Sequence, residues 1–318
     1  MTMSAIEPII GNFERRDIHE HISRLLRDLG NPEPPLRLEQ VRALQKLDLT
    51  YYSKANLSLL DEIAHRARMA GNEITSTAKR MVDVVQQYGL RGILMLTEGD
   101  KRIFIDDEVA ELKRRFLIAH EITHDLLPWH RSLLLGDNES TLNPTFHQAM
   151  EAEANYGGRH LLFLGGRFRP EALDCSLEWK SIEQLRKRYG NTLTTTLWQM
   201  VCERDPEFPA FGVVSRHPYH RDICEKAGND NVAYFPRSIA LAEHFPGITT
   251  TVAYSAICDH ATNRKRGPVG EGESIFYDAN GEPHVFWLHS FSNTYDLLTY
   301  CIYKKKHQRI FPVGYRAA

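Results

Sequence analysis

Phe116-Leu117-Ile118-Ala119-His120-Glu121-Ile122-Thr123-His124-Asp125-Leu126-Leu127 is the stretch that decides how this chain is read. At its centre stands His-Glu-x-x-His. On a helix, residues four apart share a face, so His120 and His124 would present both imidazoles to one side. That suits two ligands of a tetrahedral Zn²⁺. Glu121, next to the first of them, can reach a water at the ion's open position as a general base. The helix is predicted by Leu112, Phe116, Ala119 and Ile122, which recur at helical spacing together with Leu117 and Leu126. So much apolar surface around the pair places the helix inside a domain. Pro128 ends it soon after Leu127. The alternative is a core helix with two hydrogen-bonded histidines and a surface Glu.

A catalytic zinc usually has three protein ligands and one open position. Downstream, Gln148 to Leu162 reads as a second, Ala-rich helix carrying Glu151, Glu153 and Asn155. The interval from 125 to 150 is long enough for a loop and a return. Glu151 and Asn155 share a face. Glu151 is the candidate third ligand, and Asn155 the group that would hold a ligand histidine by its other ring nitrogen. Glu153 is the competing ligand, but it lies about 200° around the helix from Glu151. Its i+4 neighbour is Gly157, so it reads as a solvated helix charge.

These two helices resemble the ImmA/IrrE family of zinc metallo-endopeptidases. The likeness rests on Arg115-Phe116-Leu117-Ile118-Ala119-His120-Glu121-Ile122-Thr123-His124-Asp125-Leu126-Leu127, then Glu151-Ala152-Glu153-Ala154-Asn155 and Leu161-Leu162. It covers roughly residues 90 to 205. The resemblance implies a zincin-like fold, with His120, His124 and Glu151 as zinc ligands and Glu121 as catalytic base. It implies a protein substrate such as a DNA-binding transcriptional repressor. The chain departs from the pattern at Gly157-Gly158, where Phe-Ala is usual, and at Phe163-Leu164, where Met-Pro is usual. Those changes touch helix packing rather than ligands.

At 318 residues the chain can bury a sizeable core. Its 42% hydrophobic and 25% charged content is that of a soluble globular protein. A net charge of -2 argues against a surface that coats nucleic acid. Residues 1–16 lack the apolar run of a secretory signal, and no stretch is long enough to cross a membrane. Five scattered cysteines, with no Cys-x-x-Cys, fit reduced thiols in a cytoplasmic protein.

The expected architecture is α+β in four parts: an N-terminal helical segment (1–52), a zincin-like catalytic domain (53–175), a helical hairpin (176–205) and a mixed α/β domain, possibly sensor-like by resemblance, over 206–318. Helices are predicted at 17–29, from Leu38 to Leu47, and at about 56–70 and 74–88, with a short strand from Leu47 to Ser53. Ile93 to Thr97 and Arg102 to Ile105 read as a hairpin just before the motif helix. Its edge could bind substrate backbone in extended form, or the hairpin could simply support the helix. The pair at 176–203 has helix-turn-helix proportions with Arg186, Lys187 and Arg188, but its second helix lacks the Arg and Lys of a recognition helix. In the C-terminal part, strands are expected at 210–215, 232–235, 249–257, 274–277, 284–289 and 298–303, and a short helix at 238–244. Cys258-Asp259-His260 reads as a strand end. His130, His147, Tyr156 and His160 are possible oxyanion-stabilising groups, and none is fixed by the sequence. The competing reading of the whole is a regulatory, sensor or DNA-binding protein whose metal site is structural or inactive.

Overall fold

The computed structural model describes residues 6–53, 92–97, 100–134, 144–220 and 231–307. The fold is α+β, with two sheets among the described residues. The chain forms two compact units. One holds Pro8–Glu171 and Glu183–Thr195, and the other Ala172–Ile182 and Thr196–Ala318, apart from short N-terminal pieces.

In the first unit, helix α1 (Asn12–Asp28) buries Ile18, Ile22, Leu25 and Leu26, the stripe its spacing predicts. It closes on Gly30 at φ +76°, whose N–H donates to Arg27, while the Asn31 N–H donates to Leu26. That pair of bonds satisfies the last carbonyls. Helix α2 (Leu38–Gln45) stops at Lys46, in the left-handed region at φ 55°. Leu47, predicted as its last apolar residue, therefore lies beyond it. Strand β1 (Asp48–Tyr52) follows. The helices predicted at 56–70 and 74–88 lie outside the described residues.

Strands β2 (Gly92–Thr97) and β3 (Asp100–Asp106) pair antiparallel, as the hairpin reading expects. β1 joins β3 in parallel, so the sheet order is β1-β3-β2, with β2 outermost among the described residues. Ile103, Phe104 and Ile105 are buried in its centre. Helix α3 (Glu111–Leu126) carries the motif. Pro128 does end it, and also begins the short helix α4 (Pro128–Leu134). Helix α5 (Pro144–Leu162) packs against α3.

Glycines allow that packing. A Cβ on Gly157 would stand 2.5 Å from Thr123 Cγ2, and one on Gly158 would stand 3.1 Å from the His120 backbone nitrogen. Gly157-Gly158 thus lets α5 approach the turn of α3 that carries the histidines. Beyond α5, a 3₁₀ turn (Gly165–Arg167) and helix α6 (Phe168–Leu173) are elements the pattern did not predict. Helices α7 (Trp179–Tyr189) and α8 (Leu193–Glu203) are the expected pair, broken at Gly190 with φ +66°.

The second unit is built on a five-stranded antiparallel sheet in the order β5-β4-β8-β7-β6. Its strands are β4 (Ala210–Ser215), β5 (Val232–Tyr234), β6 (Gly267–Tyr277), β7 (Pro283–Ser292) and β8 (Leu297–Lys306). Helices α9 (Ile239–His244) and α10 (Thr250–His260) complete it. Phe211, Phe235, Phe245, Phe276 and Phe286 lie in its core.

The strand predicted at 249–257 is instead helix α10. Thr249 caps it, its hydroxyl accepting from the Val252 N–H, and Thr250, Ala253, Ala256 and Ile257 form its buried face. A β-branched run looked like a strand, but the cap and the three-to-four spacing prevail over propensity. Cys258-Asp259-His260 is accordingly a helix end. Strand β6 begins well before the predicted Ser274 because Gly270 and Gly272 conceal it. Cβ atoms there would fall 2.0 Å from His260 O and 2.2 Å from His260 Nδ1.

Candidate metal centre

His120 and His124 sit one turn apart on the buried face of α3, and α5 brings Glu151 across to them. The two Nε2 atoms are 3.1 Å apart. Glu151 places one oxygen 3.3 Å from His120 Nε2 and the other 3.6 Å from His124 Nε2. Ligands on a tetrahedral zinc at about 2.0–2.1 Å are separated by about 3.4 Å. The three donors therefore already stand near the edges of such a polyhedron, and two imidazoles with one carboxylate form a donor set zinc accepts. Among the described residues this is the one cluster of metal-ligating side chains with its atoms so close.

The outer contacts are equally ordered. His120 Nδ1 lies 3.0 Å from Asn155 Oδ1. The Asn oxygen can only accept, so Nδ1 carries a proton, and Nε2 is the nitrogen left to face an ion. The Asn155–histidine pairing was expected from the i, i+4 spacing with Glu151. Asp125, fully buried at the end of α3, accepts from Lys101 Nζ at 2.8 and 3.0 Å and from Arg131 Nε at 3.0 Å. These bonds tie the helix to β3 and α4.

Glu121 is buried against β2 and accepts from the Leu94 N–H. A Cβ on Gly92 would stand 2.8 Å from Glu121 Oε1, so the strand can pass this close only because Gly92 lacks one. Burial first, then the neighbouring Glu151 charge, raises the Glu121 pKa to about 7, although His120 opposes this. Burial alone would lower His120, but Glu151 and then Glu121 outweigh it and hold the imidazole up at about 9. Burial pulls His124 down to about 4. Burial works against the Glu151 carboxylate, yet bonds to both histidines hold it well below its usual range. These opposite shifts favour an ion pair between His120 and Glu151, and an incoming metal ion would displace the proton on His120 Nε2.

Glu153 is not the solvated charge its helical position suggested. It does point away from Glu151, but its Oε2 accepts from Trp129 Nε1 at 2.7 Å and bonds His130 Nε2 at 2.9 Å. Fully buried His130 in turn places its Nδ1 3.0 Å from His124 Nδ1. No fixed spacing could have shown this, because the chain bends at Pro128 between His124 and His130. Of the other oxyanion candidates, the Tyr156 hydroxyl bonds His19 and the His160 ring stacks on His19. His147 has a largely exposed side chain, with Nε2 3.9 Å from Glu151 Oε1.

No residue of α8 is exposed, and Arg186, Lys187 and Arg188 are paired with Glu183 or Glu171. Among the described residues, Cys175, Cys202, Cys258 and Cys301 form no disulfide. No described helix is long and apolar enough to cross a membrane.

No curated protein matches the chain. Among solved structures, a Mycobacterium tuberculosis transcriptional regulator shares 14% identity over 92% of this chain and 91% of its own, with a TM-score of 0.49. The family model described as Peptidase_M78, IrrE N-terminal-like domain, matches residues 78–197, an interval that contains β2, β3, the motif helix and its partner α5. The span from 78 to 197 is therefore similar to the IrrE N-terminal-like domain of Peptidase_M78, a domain of zincin-like fold.

Proposed function

We propose that this chain is a zinc-dependent endopeptidase that cleaves a specific protein, with His120, His124 and Glu151 as ligands and Glu121 as general base. The observation that carries the proposal is the convergence of those three donors to separations of 3.1–3.6 Å beside a buried carboxylate. A zinc ion held there supplies Lewis acidity to a water and to the scissile carbonyl. Glu121 accepts a proton from the attacking water and returns it to the leaving amine nitrogen. A raised pKa suits both halves of that task, since the group must hold a proton and give it up near neutral pH. Asn155 holds the proton on His120 Nδ1 and leaves Nε2 to face the ion.

The outer strand β2 supports a peptide substrate. An extended segment added along its open edge would run past Glu121, which already bonds Leu94. The family likeness favours a regulatory target, such as a DNA-binding repressor, and cysteines without a disulfide favour the cytoplasm.

The test is metal content together with turnover. Wild-type protein should carry about one zinc per chain, Glu151→Ala should carry none, and Glu121→Gln should keep it. Wild type should cleave members of a proteome-derived peptide library that Glu121→Gln leaves intact. Cleavage by Glu121→Gln at the wild-type rate would refute the assigned base.

A further inference from the structure

We infer that His130, anchored by Glu153 and Trp129, is a positioning residue that orients His124 and fixes its tautomer for metal binding. The inference rests on the metallopeptidase reading and extends it to His130, which lies outside the family motif. Each ligand histidine has its own partner at Nδ1. For His120 it is Asn155. For His124 it is His130, 3.0 Å away and completely buried.

The direction of this chain follows from which atoms can donate. Binding through His124 Nε2 needs a lone pair there, so His124 Nδ1 carries the proton and donates it. His130 Nδ1 must then accept. A neutral imidazole that accepts at Nδ1 is protonated at Nε2. That N–H faces Glu153 Oε2 at 2.9 Å, and a carboxylate can accept it. Trp129 Nε1–H, which can only donate, reaches the same oxygen at 2.7 Å and holds the carboxylate in place. With a metal ion on His124 Nε2, this polarity is the one that satisfies all three contacts at once. The carboxylate sets the His130 tautomer, and His130 sets that of His124.

The arrangement is built from one end of the fold to the other. Leu127 closes α3, and its carbonyl accepts the His130 backbone N–H at 3.1 Å, so the turn after the motif helix delivers His130 beneath His124. Glu153 arrives from α5, two residues after the ligand Glu151. The same helix thus supplies one metal ligand and, from another side, the anchor for a second.

The test is a Co²⁺ titration of the full-length protein against a competing chelator. It is read as affinity and as the visible d–d spectrum, which reports ligand geometry without any substrate. His130→Leu should weaken Co²⁺ binding roughly 10–100-fold, the usual cost of losing an outer-shell partner, and alter the spectrum. His130→Gln should recover most of the affinity, because its amide oxygen can accept from His124 while its N–H₂ donates to Glu153. A merely structural role would not follow that split between Leu and Gln. Glu153→Gln, a milder change, should give a smaller loss and serves as the variant of record if His130→Leu does not fold.

One measurement needs no variant. In ¹⁵N-histidine NMR of the zinc-loaded wild type, His130 should be protonated at Nε2 and bare at Nδ1. A proton on His130 Nδ1 overturns the inference, as do folded His130→Leu or Glu153→Gln proteins with wild-type affinity and spectrum. Failure of wild type itself to bind Co²⁺ or Zn²⁺ sinks the metallopeptidase reading and this inference with it.

Discussion

Helix α5 borders two clusters of buried or half-buried histidine that share little else. On one side His120 and His124 meet Glu151, with ring nitrogens converging and Glu121 beside them. On the other, His160 of α5 lies face to face with His19 of α1, ring centroids 3.9 Å apart and planes within 6°. Tyr156 extends that stack, its hydroxyl 2.7 Å from His19 Nε2. Burial lowers the His19 pKa to about 4, helped by Arg15, and holds His160 well below its usual value, helped by His19 and Arg15. Parallel rings point their nitrogens along the stack edges rather than at a common point. A cation nearby is the wrong company for a metal. Burial of histidine is common to both clusters, so it is not what makes a metal site. Converging lone pairs and a carboxylate are.

The sharpest way to break that contrast is to take the carboxylate away. Glu151→Gln turns the first cluster into histidines without an acid. Zinc affinity should fall by more than the roughly 10–100-fold that an outer-shell loss costs. Competition with a chromogenic chelator measures it. Retention of wild-type affinity would mean that two imidazoles suffice here and that the comparison misplaces its weight.

A smaller effect should come from the packing that assembles the first cluster. Gly158→Ala improves helix propensity by up to about 1 kcal/mol. Its Cβ would nevertheless press on the His120 backbone at 3.1 Å and on Ala119 at 3.3 Å. Backbone cannot swing aside as a side chain can, so α5 must retreat, at a cost of up to about 3 kcal/mol. Urea unfolding of the metal-free protein should show that loss, and zinc affinity should drop as Glu151 and Asn155 withdraw. A variant more stable than wild type would show that the close approach is not needed.

The first cluster was largely legible in the sequence because every element of it is local. His120 to His124 is one helical turn, and Glu151 to Asn155 is another. Helical periodicity therefore marked both faces before any packing was known, and the zincin-like frame came from the family resemblance that the same residues carry. His130 and the role of Glu153 were not legible, since their meeting depends on a bend at Pro128 and on the crossing of α4 over α5. The His19–His160 stack joins positions far apart in the chain, and no local pattern marks it. In the second unit, Thr249 to Ile257 misled because β-branched residues fit a strand as well as a capped helix. Gly270 and Gly272 erased the alternation of β6, because that strand had to make room for His260.

The second cluster offers the smallest effect on metal and the clearest sign. A histidine whose folded pKa is depressed stabilises the fold above its unfolded pKa. That stability is lost as pH falls toward the folded value. For His19 the window runs from about 6.5 down to about 4, and His160 is likewise held well below its usual value. The groups facing the pair are Arg15 and the Tyr156 phenol, and neither supplies a negative charge at these pH values. His160→Phe keeps a ring in the stack and removes one proton site. At pH 7 its stability should be close to that of wild type. At pH 5 the wild type should have lost about 2 kcal/mol that the variant keeps, because one histidine fewer is protonated only on unfolding. Zinc affinity at pH 7 should be unchanged, since no contact runs from His160 to a ligand. Urea midpoints at the two pH values and one metal titration decide the matter. A parallel pH dependence in both proteins would mean that another group sets the acid limit. A drop in zinc affinity would mean that the two faces of α5 are coupled after all.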